Sequence, residues 1–280
     1  MRRNLLIAVT CAVFLGTSLL LFSESSKPED SIEAMRYSTS PDVPVSDLEI
    51  GAPKEENVDI ACVVSLIRGG GRALLFDSGF HRNTFLKDFP MQANLRPDEA
   101  VKTAGVQPDA VTDMVISQAH WGHMGGIDRF PRAQVWIQKD EDRYYTIDAW
   151  GGDLCGIGPE DVKQLVQLNT EGRLHLVDGD NVGFFPGIRA YTSARPTCAS
   201  QYLRIDGNPP NVPASDTLYL CRNLSSQLAS ATFSDSDHAA NIANQTRMIE
   251  RARLPDRAVP GHDALQFQKF PTTERVAKIK

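Results

Sequence analysis

One segment, residues 112–126, constrains the possible folds of this chain more than any other. The residues 111–117 (VTDMVIS) form a short, mainly apolar and β-branched run, which is typical of a buried strand. Gly125 and Gly126 mark a turn at the end of the segment. The residues 118–123 therefore lie on the loop that leaves the strand. In an α/β fold, ligands and metals bind at this place, outside the carboxyl ends of the strands.

Two histidines, His120 and His123, lie three residues apart on this loop. At that spacing both imidazoles can converge on one side and reach a cation at about 2.0–2.1 Å. The spacing alone fits one exposed and one packed histidine equally well. The neighbouring residues decide between these two interpretations.

The loop SQAHWGHMGG resembles the signature of the metallo-β-lactamase superfamily, which reads His-x-His-x-Asp-His followed by small residues. Further segments follow in the family's order, namely LLFDSGF, YTSARPTCASQY, PASDTLYL and VPGHD. Together they span most of residues 45–272. Within the superfamily, the chain is most similar to lactonase-type hydrolases related to N-acyl-homoserine lactonases.

The resemblance implies a fold and a set of metal ligands. The implied fold is an α/β protein, the αββα sandwich, in which two mixed β-sheets face each other with helices outside. Four of the seven ligand positions of the family keep a ligand, and these are His120, His123, Asp216 and His262. Three positions are altered, namely Gln118, Gly122 and Pro196, and Arg195 is the other residue that can align with the third of them.

The altered positions divide unequally between the two cations of the family pattern. The first cation would keep only His120 and the bridging Asp216. The second would keep His123, His262 and Asp216, a set of two histidines and one carboxylate that suits a catalytic zinc ion with an open water position. The resemblance therefore implies one zinc ion, and the altered ligands argue against a second.

Two further residues gain a role from the resemblance. Asp77 follows the predicted strand 72–76, where it is by itself a turn aspartate, and the resemblance assigns it to orienting the metal loop through hydrogen bonds. Tyr219 lies three residues after Asp216, where the lactonase-type relatives carry a tyrosine that faces the substrate carbonyl. Its phenol can donate a hydrogen bond to a developing oxyanion, and a core tyrosine of a strand is the alternative.

Two functions are compatible with these residues. The first is a metal-dependent hydrolase that acts on a small lactone or ester through a zinc-bound hydroxide, with Asp216 and Tyr219 as catalytic residues. The alternative is a catalytically impaired member of the superfamily that serves as a binding or accessory protein. The three altered ligand positions favour this alternative.

The beginning of the chain is typical of an export signal. Met1, Arg2 and Arg3 precede an apolar run over residues 5–22. We expect residues 1–22 to be a cleaved signal peptide or an N-terminal membrane anchor, residues 23–43 to be a polar linker, and residues 44–280 to form the metallo-β-lactamase-like domain that the resemblance implies. The expected location is periplasmic or secreted, or membrane-anchored if the leader is retained.

The overall charge excludes one class of partner. The net charge is −6, with 23% charged residues and no basic cluster, so a nucleic acid is not an expected partner. A membrane is expected only through the N-terminal anchor.

The remaining patterns predict a mixed α/β order of elements. A β-hairpin is predicted over residues 58–67 and 72–76. Helices are predicted over 97–104, 139–148, 159–168 and 237–253, and further strands over 133–138, 173–177, 188–192, 201–205, 218–221 and 258–260.

Overall fold

The computed structural model describes residues 30–86, 91–92, 94–149, 156–193, 197–230 and 238–280. The predicted leader 1–22 and the altered position Pro196, with its neighbour Arg195, lie outside the described residues. Among the residues described, no helix has both the length and the apolar character that crossing a membrane requires.

The strands within the described residues are β1 (Ser31–Pro44), β2 (Asn57–Gly69), β3 (Arg72–Phe76), β4 (Asp113–Val115), β5 (Gln134–Gln138), β6 (Leu174–Val177), β7 (Val182–Phe185), β8 (Ile188–Thr192), β9 (Gln201–Ile205), β10 (Val212–Ser215), β11 (Ala258–Pro260), β12 (Thr272–Thr273) and β13 (Val276–Lys278). The α-helices are α1 (Pro97–Thr103), α2 (Trp121–Met124), α3 (Lys139–Arg143), α4 (Pro159–Thr170), α5 (Arg222–Ser226), α6 (His238–Ala252) and α7 (Gln266–Lys269). A turn of π-helix, Tyr144–Asp148, continues α3.

The larger sheet has the strand order β12-β13-β1-β2-β3-β4-β5-β6. Strands β1 to β3 are antiparallel, and β2 and β3 form the predicted hairpin. From β3 to β6 the strands are parallel, and Phe76 of β3 lies beside Val115 of β4. Because parallel neighbours end at the same edge of the sheet, the loops after β3 and β4 lie together.

A second layer of strands faces the larger sheet. Strands β7, β8 and β9 form an antiparallel sheet, and β10 pairs with β11 in parallel. A bridge between Ile205 and Asn211 connects β9 to the start of β10. The parallel pair matters for the site, because it brings the residues that follow β10 and β11 to one edge.

Three apolar clusters show how the layers pack. Side chains alternate along β3, so that Leu74 and Phe76 pack against β8 and β9 while Leu75 packs on the opposite face against α1 and α4. A third cluster joins the outer face of the second layer to α6, through Met248 and Ala252. The order is therefore helix, sheet, sheet, helix, as the resemblance implies. Each buried face stabilises the fold by removing apolar area from water.

The structure corrects the predicted linker over residues 23–43. Its described part is wrong, because Ser31–Pro44 is β1, a strand paired on both sides. The polar composition misleads because backbone pairing with β2 and β13 needs no apolar side chain. An irregularity in the register with β2, between Ser40 and Val43, accommodates the turn-forming residues Pro41 and Asp42 within the strand.

The structure also corrects the predicted strand over 218–221. This segment is a turn, and the strand in this region is β10, which ends before Asp216. Leu218 and Leu220 are buried, which explains the apolar pattern, but the backbone bends so that its carbonyls accept hydrogen bonds from the loop after β11.

Candidate metal centre

The site residues follow the carboxyl ends of four strands. Asp77 follows β3, Gln118 lies three residues beyond β4, Asp216 follows β10, and His262 lies two residues beyond β11. The two parallel pairs, β3 with β4 and β10 with β11, end near one another, and the hydroxyls of Ser117 and Ser215 lie 2.9 Å apart between them. The mouth between the two layers therefore collects polar groups that lie far apart in the sequence.

Three of the predicted ligands meet at this mouth. One ligand atom each of His123, Asp216 and His262 lies within 4.8 Å of the others. Nε2 of His123 is 3.0 Å from Oδ2 of Asp216, and Nε2 of His262 is 2.8 Å from Oδ1 of the same carboxylate. Both histidines thus present the same ring nitrogen to one carboxylate.

The other ring nitrogen of each histidine is anchored. Nδ1 of His123 lies 2.9 Å from Oδ2 of Asp77, and Nδ1 of His262 lies 3.0 Å from the carbonyl oxygen of Ala61. Since both partners are acceptors, each Nδ1 carries a proton, which leaves Nε2 as the free electron pair whenever the ring is neutral. In metal sites, a binding histidine commonly donates its other ring N–H to a carboxylate or a backbone carbonyl, as both histidines do here.

Charge pairing governs protonation of this cluster. Burial alone would lower the pKa of His123, but the carboxylates of Asp216 and Asp77 outweigh burial and raise the pKa to about 10. Burial opposes ionisation of Asp216, and the neighbouring His123 and His262 nevertheless hold its pKa well below the usual range. The metal-free cluster is therefore a set of buried ion pairs.

Asp77 has the most partners of the residues that support the cluster. Its Oδ1 accepts the backbone N–H of Ser117 at 2.7 Å, and its Oδ2 accepts the hydroxyl of Ser215 at 2.8 Å. Asp77 and Ser215 both have positive φ, 66° and 50°, which non-glycine residues rarely adopt. Such strained backbone persists where the surrounding structure fixes it, and it concentrates at functional sites.

The turn that presents His262 depends on Gly261. A Cβ added there would lie 2.7 Å from the backbone carbon and oxygen of Ser215, so only glycine allows this close approach. The backbone N–H groups of Gly261 and His262 donate to the carbonyls of Leu218 and Tyr219 at 2.9 and 3.0 Å. These bonds fix His262 relative to the segment that follows Asp216.

His120 lies beside the cluster without joining its three-residue group. Its Nδ1 is 3.3 Å from Nε2 of Gln118, and burial together with the neighbouring His123 lowers its pKa to about 4. Gln118 is buried and donates from Nε2 to Oδ2 of Asp216 at 2.6 Å. The first altered position therefore carries a hydrogen-bond donor to Asp216 in the structure.

The remaining predicted residues occupy different surroundings. The hydroxyl of Tyr219 lies 3.3 Å from Oδ2 of Asp216, and burial, with the charge of Asp216, raises its pKa well above the usual value. Gly122 is half-buried, and a Cβ added there would contact nothing within 4 Å, so the lost aspartate leaves open space. Trp121 packs against the buried Phe80, with the two rings 4.6 Å apart.

Glu141 is a supporting residue that the sequence reasoning missed. This fully buried carboxylate of α3 accepts the N–H of Ala119 at 2.7 Å and the N–H of Ala199 at 3.0 Å. Glu141 therefore connects the segment that contains Ala119 and His120 to the segment that leads into β9. Burial raises its pKa. No sequence signal separates it from the other acids of the charged run KDEDR, of which it is the one without exposure.

The three grouped residues fit a divalent cation. Two neutral imidazole nitrogens and one carboxylate oxygen form a ligand set typical of catalytic zinc, and both Nε2 atoms are oriented by partners on the opposite side of the ring. Within the described part of the chain, His120 and Gln118 do not complete a second such set, because an amide NH2 group offers no electron pair.

Comparison with known proteins adds information on the fold. No protein-family model matches this sequence, and no curated protein matches it. Solved structures match across most of the chain. An AiiA mutant from B. thuringiensis with N-decanoyl-L-homoserine bound at its active site has a TM-score of 0.71 at 15% identity, over 87% of this chain and 97% of that chain.

Two further structures extend the comparison. Hydrolase AbOPH of the beta lactamase superfamily has a TM-score of 0.65 at 16% identity and covers 84% of this chain and 88% of its own. AidC, a dizinc quorum-quenching lactonase in complex with a product, has a TM-score of 0.60 at 16% identity, with 85% and 89% covered. These likenesses confirm the predicted fold, and the chain has the metallo-β-lactamase fold.

Proposed function

We propose that this protein is a metal-dependent hydrolase that acts on a small lactone or ester. The observation that carries the proposal is the convergence of His123, Asp216 and His262, whose ligand atoms lie within 4.8 Å of one another at the mouth between the layers. The likeness in fold to the lactonase AidC and to hydrolase AbOPH supports the reaction class.

The three converging residues would hold a single zinc ion. When bound, zinc lowers the pKa of a water molecule and polarises a carbonyl oxygen. Asp77 and the carbonyl of Ala61 keep Nε2 of the two histidines available for this ion. Asp216 supplies the anionic ligand, since its pKa is held low and it stays ionised at neutral pH.

Tyr219 supplies a hydrogen-bond donor beside Asp216. Its raised pKa keeps the phenol protonated in the neutral range, and the hydroxyl lies at the same carboxylate that would bind zinc. A phenol in this position can donate to the oxygen that gains negative charge when a lactone or ester carbonyl is attacked. We assign to Tyr219 the stabilisation of that oxygen.

A second candidate function is a binding or accessory protein that works without a metal. One observation favours it. Both oxygens of Asp216 already accept hydrogen bonds from Gln118, His123, His262 and Tyr219, so the buried charge is satisfied without a cation. The two candidates differ in metal content and in turnover.

Metal analysis of the purified protein, together with a panel of lactones and esters, tests the proposal. We expect about one tightly held zinc ion per chain and measurable hydrolysis. His262→Ala should lose both, because it removes one of three ligands. His238→Ala is the matched control, since His238 is exposed at the start of α6, and it should keep both. Unchanged turnover in His262→Ala would place the chemistry elsewhere.

We further propose that the protein acts outside the cytoplasm. The charged and apolar beginning of the chain supports this proposal. Cell fractionation, followed by N-terminal sequencing of the mature protein, distinguishes a cleaved signal from a retained anchor. Recovery of the uncleaved protein from the cytoplasm would contradict the proposal.

A further inference from the structure

The side-chain amide of Gln118 is bonded to two groups that could otherwise hold a cation. Its Nε2 lies 2.6 Å from Oδ2 of Asp216 and 3.3 Å from Nδ1 of His120. An amide NH2 group carries two hydrogens and can therefore serve both acceptors at once. Gln118 is 1% exposed, so water does not compete for either bond.

The contact with a carboxylate fixes the orientation of the amide. Only the NH2 end of the amide can face the ionised Asp216, because the amide oxygen and the carboxylate oxygen both carry negative charge and would repel each other. The same NH2 group then requires Nδ1 of His120 to be unprotonated, because a protonated Nδ1 would direct its hydrogen at the hydrogens of the amide. His120 is thus held as a neutral acceptor toward Gln118.

The Nε2 atoms of the other two histidines converge on the carboxylate of Asp216. Nε2 of His123 and Nε2 of His262 approach opposite oxygens of Asp216, and these three residues form a group that does not include His120. Among the residues that the structure describes, the site therefore has one complete set of ligands and one pair of ligands, His120 and Asp216, that Gln118 already engages.

We propose that Gln118 is a positioning residue that stands in for a second cation and limits the site to one. Its two N–H groups place partial positive charge between His120 and Asp216. The N–H that donates to Oδ2 of Asp216 holds this carboxylate beside His123 and His262. The proposal rests on the proposed function in one respect, namely that these residues bind a divalent cation.

The test is a zinc titration of the metal-free full-length protein and of two variants, with cobalt absorption as a second readout of the ligand number. Wild type should bind one zinc ion. Gln118→His should bind two, because an imidazole adds an electron pair beside His120 and Asp216. Gln118→Ala should still bind one, with affinity about tenfold or more weaker, because Asp216 loses a donor that orients it.

Gln245→Ala is the matched control. Gln245 is a buried glutamine whose amide donates to Leu228 and Asn241 instead of to the site, and its loss should leave zinc stoichiometry and affinity unchanged. A wild type that binds two zinc ions or none overturns the inference. A Gln118→His variant that binds only one, or a Gln118→Ala variant with wild-type affinity, also overturns it.

Hydrolysis is measured separately. A wild type that binds one zinc ion without hydrolysing any lactone or ester would contradict the proposed function and would leave this inference in place.

Discussion

Oδ2 of Asp77 lies 2.9 Å from Nδ1 of His123, and this contact determines which nitrogen of the histidine is free. Asp77 also uses its other oxygen to accept the backbone N–H of Ser117. The two oxygens of the Asp77 carboxylate therefore bond to two different segments, Oδ1 to the loop after β4 and Oδ2 to α2.

Asp77→Asn should weaken zinc binding by changing which ring nitrogen of His123 carries the proton. The asparagine oxygen must serve the N–H of Ser117, so its NH2 group faces His123 and moves the ring proton from Nδ1 to Nε2. We expect zinc affinity to fall about 10- to 100-fold, measured by competition with a chelator. Asp128→Asn is the control, because Asp128 forms a similar pair with Nε2 of His81, at 2.8 Å, apart from the three grouped residues. Equal affinity of the two variants would contradict the role of Asp77.

Tyr219→Phe separates chemistry from metal binding. Removing one donor to a developing oxyanion typically costs about 10²- to 10³-fold in kcat. We expect a loss of this order, with zinc affinity unchanged and KM little affected, in steady-state kinetics on the best lactone or ester. Tyr202→Phe is the control, since the buried hydroxyl of Tyr202 has no hydrogen-bond partner among the described residues. If kcat survives in Tyr219→Phe, the tyrosine is a packing residue.

Gly261→Ala should destabilise the protein. The added Cβ would lie 2.7 Å from the backbone of Ser215 and would separate β10 from β11. We expect the free energy of unfolding to fall by about 1–3 kcal/mol in denaturant titrations, which is the usual cost of overpacking. Gly122→Ala has open space around its Cβ and should unfold like wild type. Equal stability of the two variants would mean that the turn relaxes without cost.

Unfolding of the metal-free protein should depend on pH with a maximum near 6.5. His123 has a folded-state pKa of about 10, compared with the usual histidine value of about 6.5. Between these two values the folded state keeps a proton that the unfolded state has lost. The stability of the folded state therefore falls as pH rises toward 10. His120 has a folded-state pKa of about 4. Between pH 6.5 and 4 the unfolded state therefore binds a proton that the folded state does not bind, and the stability of the folded state falls as pH drops.

Thermal unfolding between pH 4 and 10 measures this dependence. His120→Gln should weaken the loss on the acid side, and His123→Gln should weaken the loss on the alkaline side. A wild-type stability that increases steadily from pH 6.5 to 10 would contradict the pairing of His123 with Asp216 and Asp77.

Local patterns of the sequence predict much of the fold. The hairpin of β2 and β3, the helices α1, α4 and α6, and the strands β8 and β9 lie within a few residues of their predicted positions. Each of these elements has a clear apolar period or a capping proline or glycine, which acts over neighbouring residues. Strand β1 escapes prediction, because its pairing with β2 and β13 depends on backbone bonds to distant segments.

The sequence by itself determined that His120 and His123 follow a buried strand, and its segment order indicated which distant residues accompany them. The structure corrects the predicted loop over 118–123, because His123 lies in the short helix α2. The resemblance also implied that His123 shares a cation with Asp216 and His262. Only the tertiary structure decided that the amide of Gln118 reaches both Asp216 and His120. The physical reason is that Gln118 and Asp216, separated by 98 positions, meet through the ends of strands in different layers. Strand order and register set which atoms approach to hydrogen-bond distance, and no local pattern of residues encodes that distance.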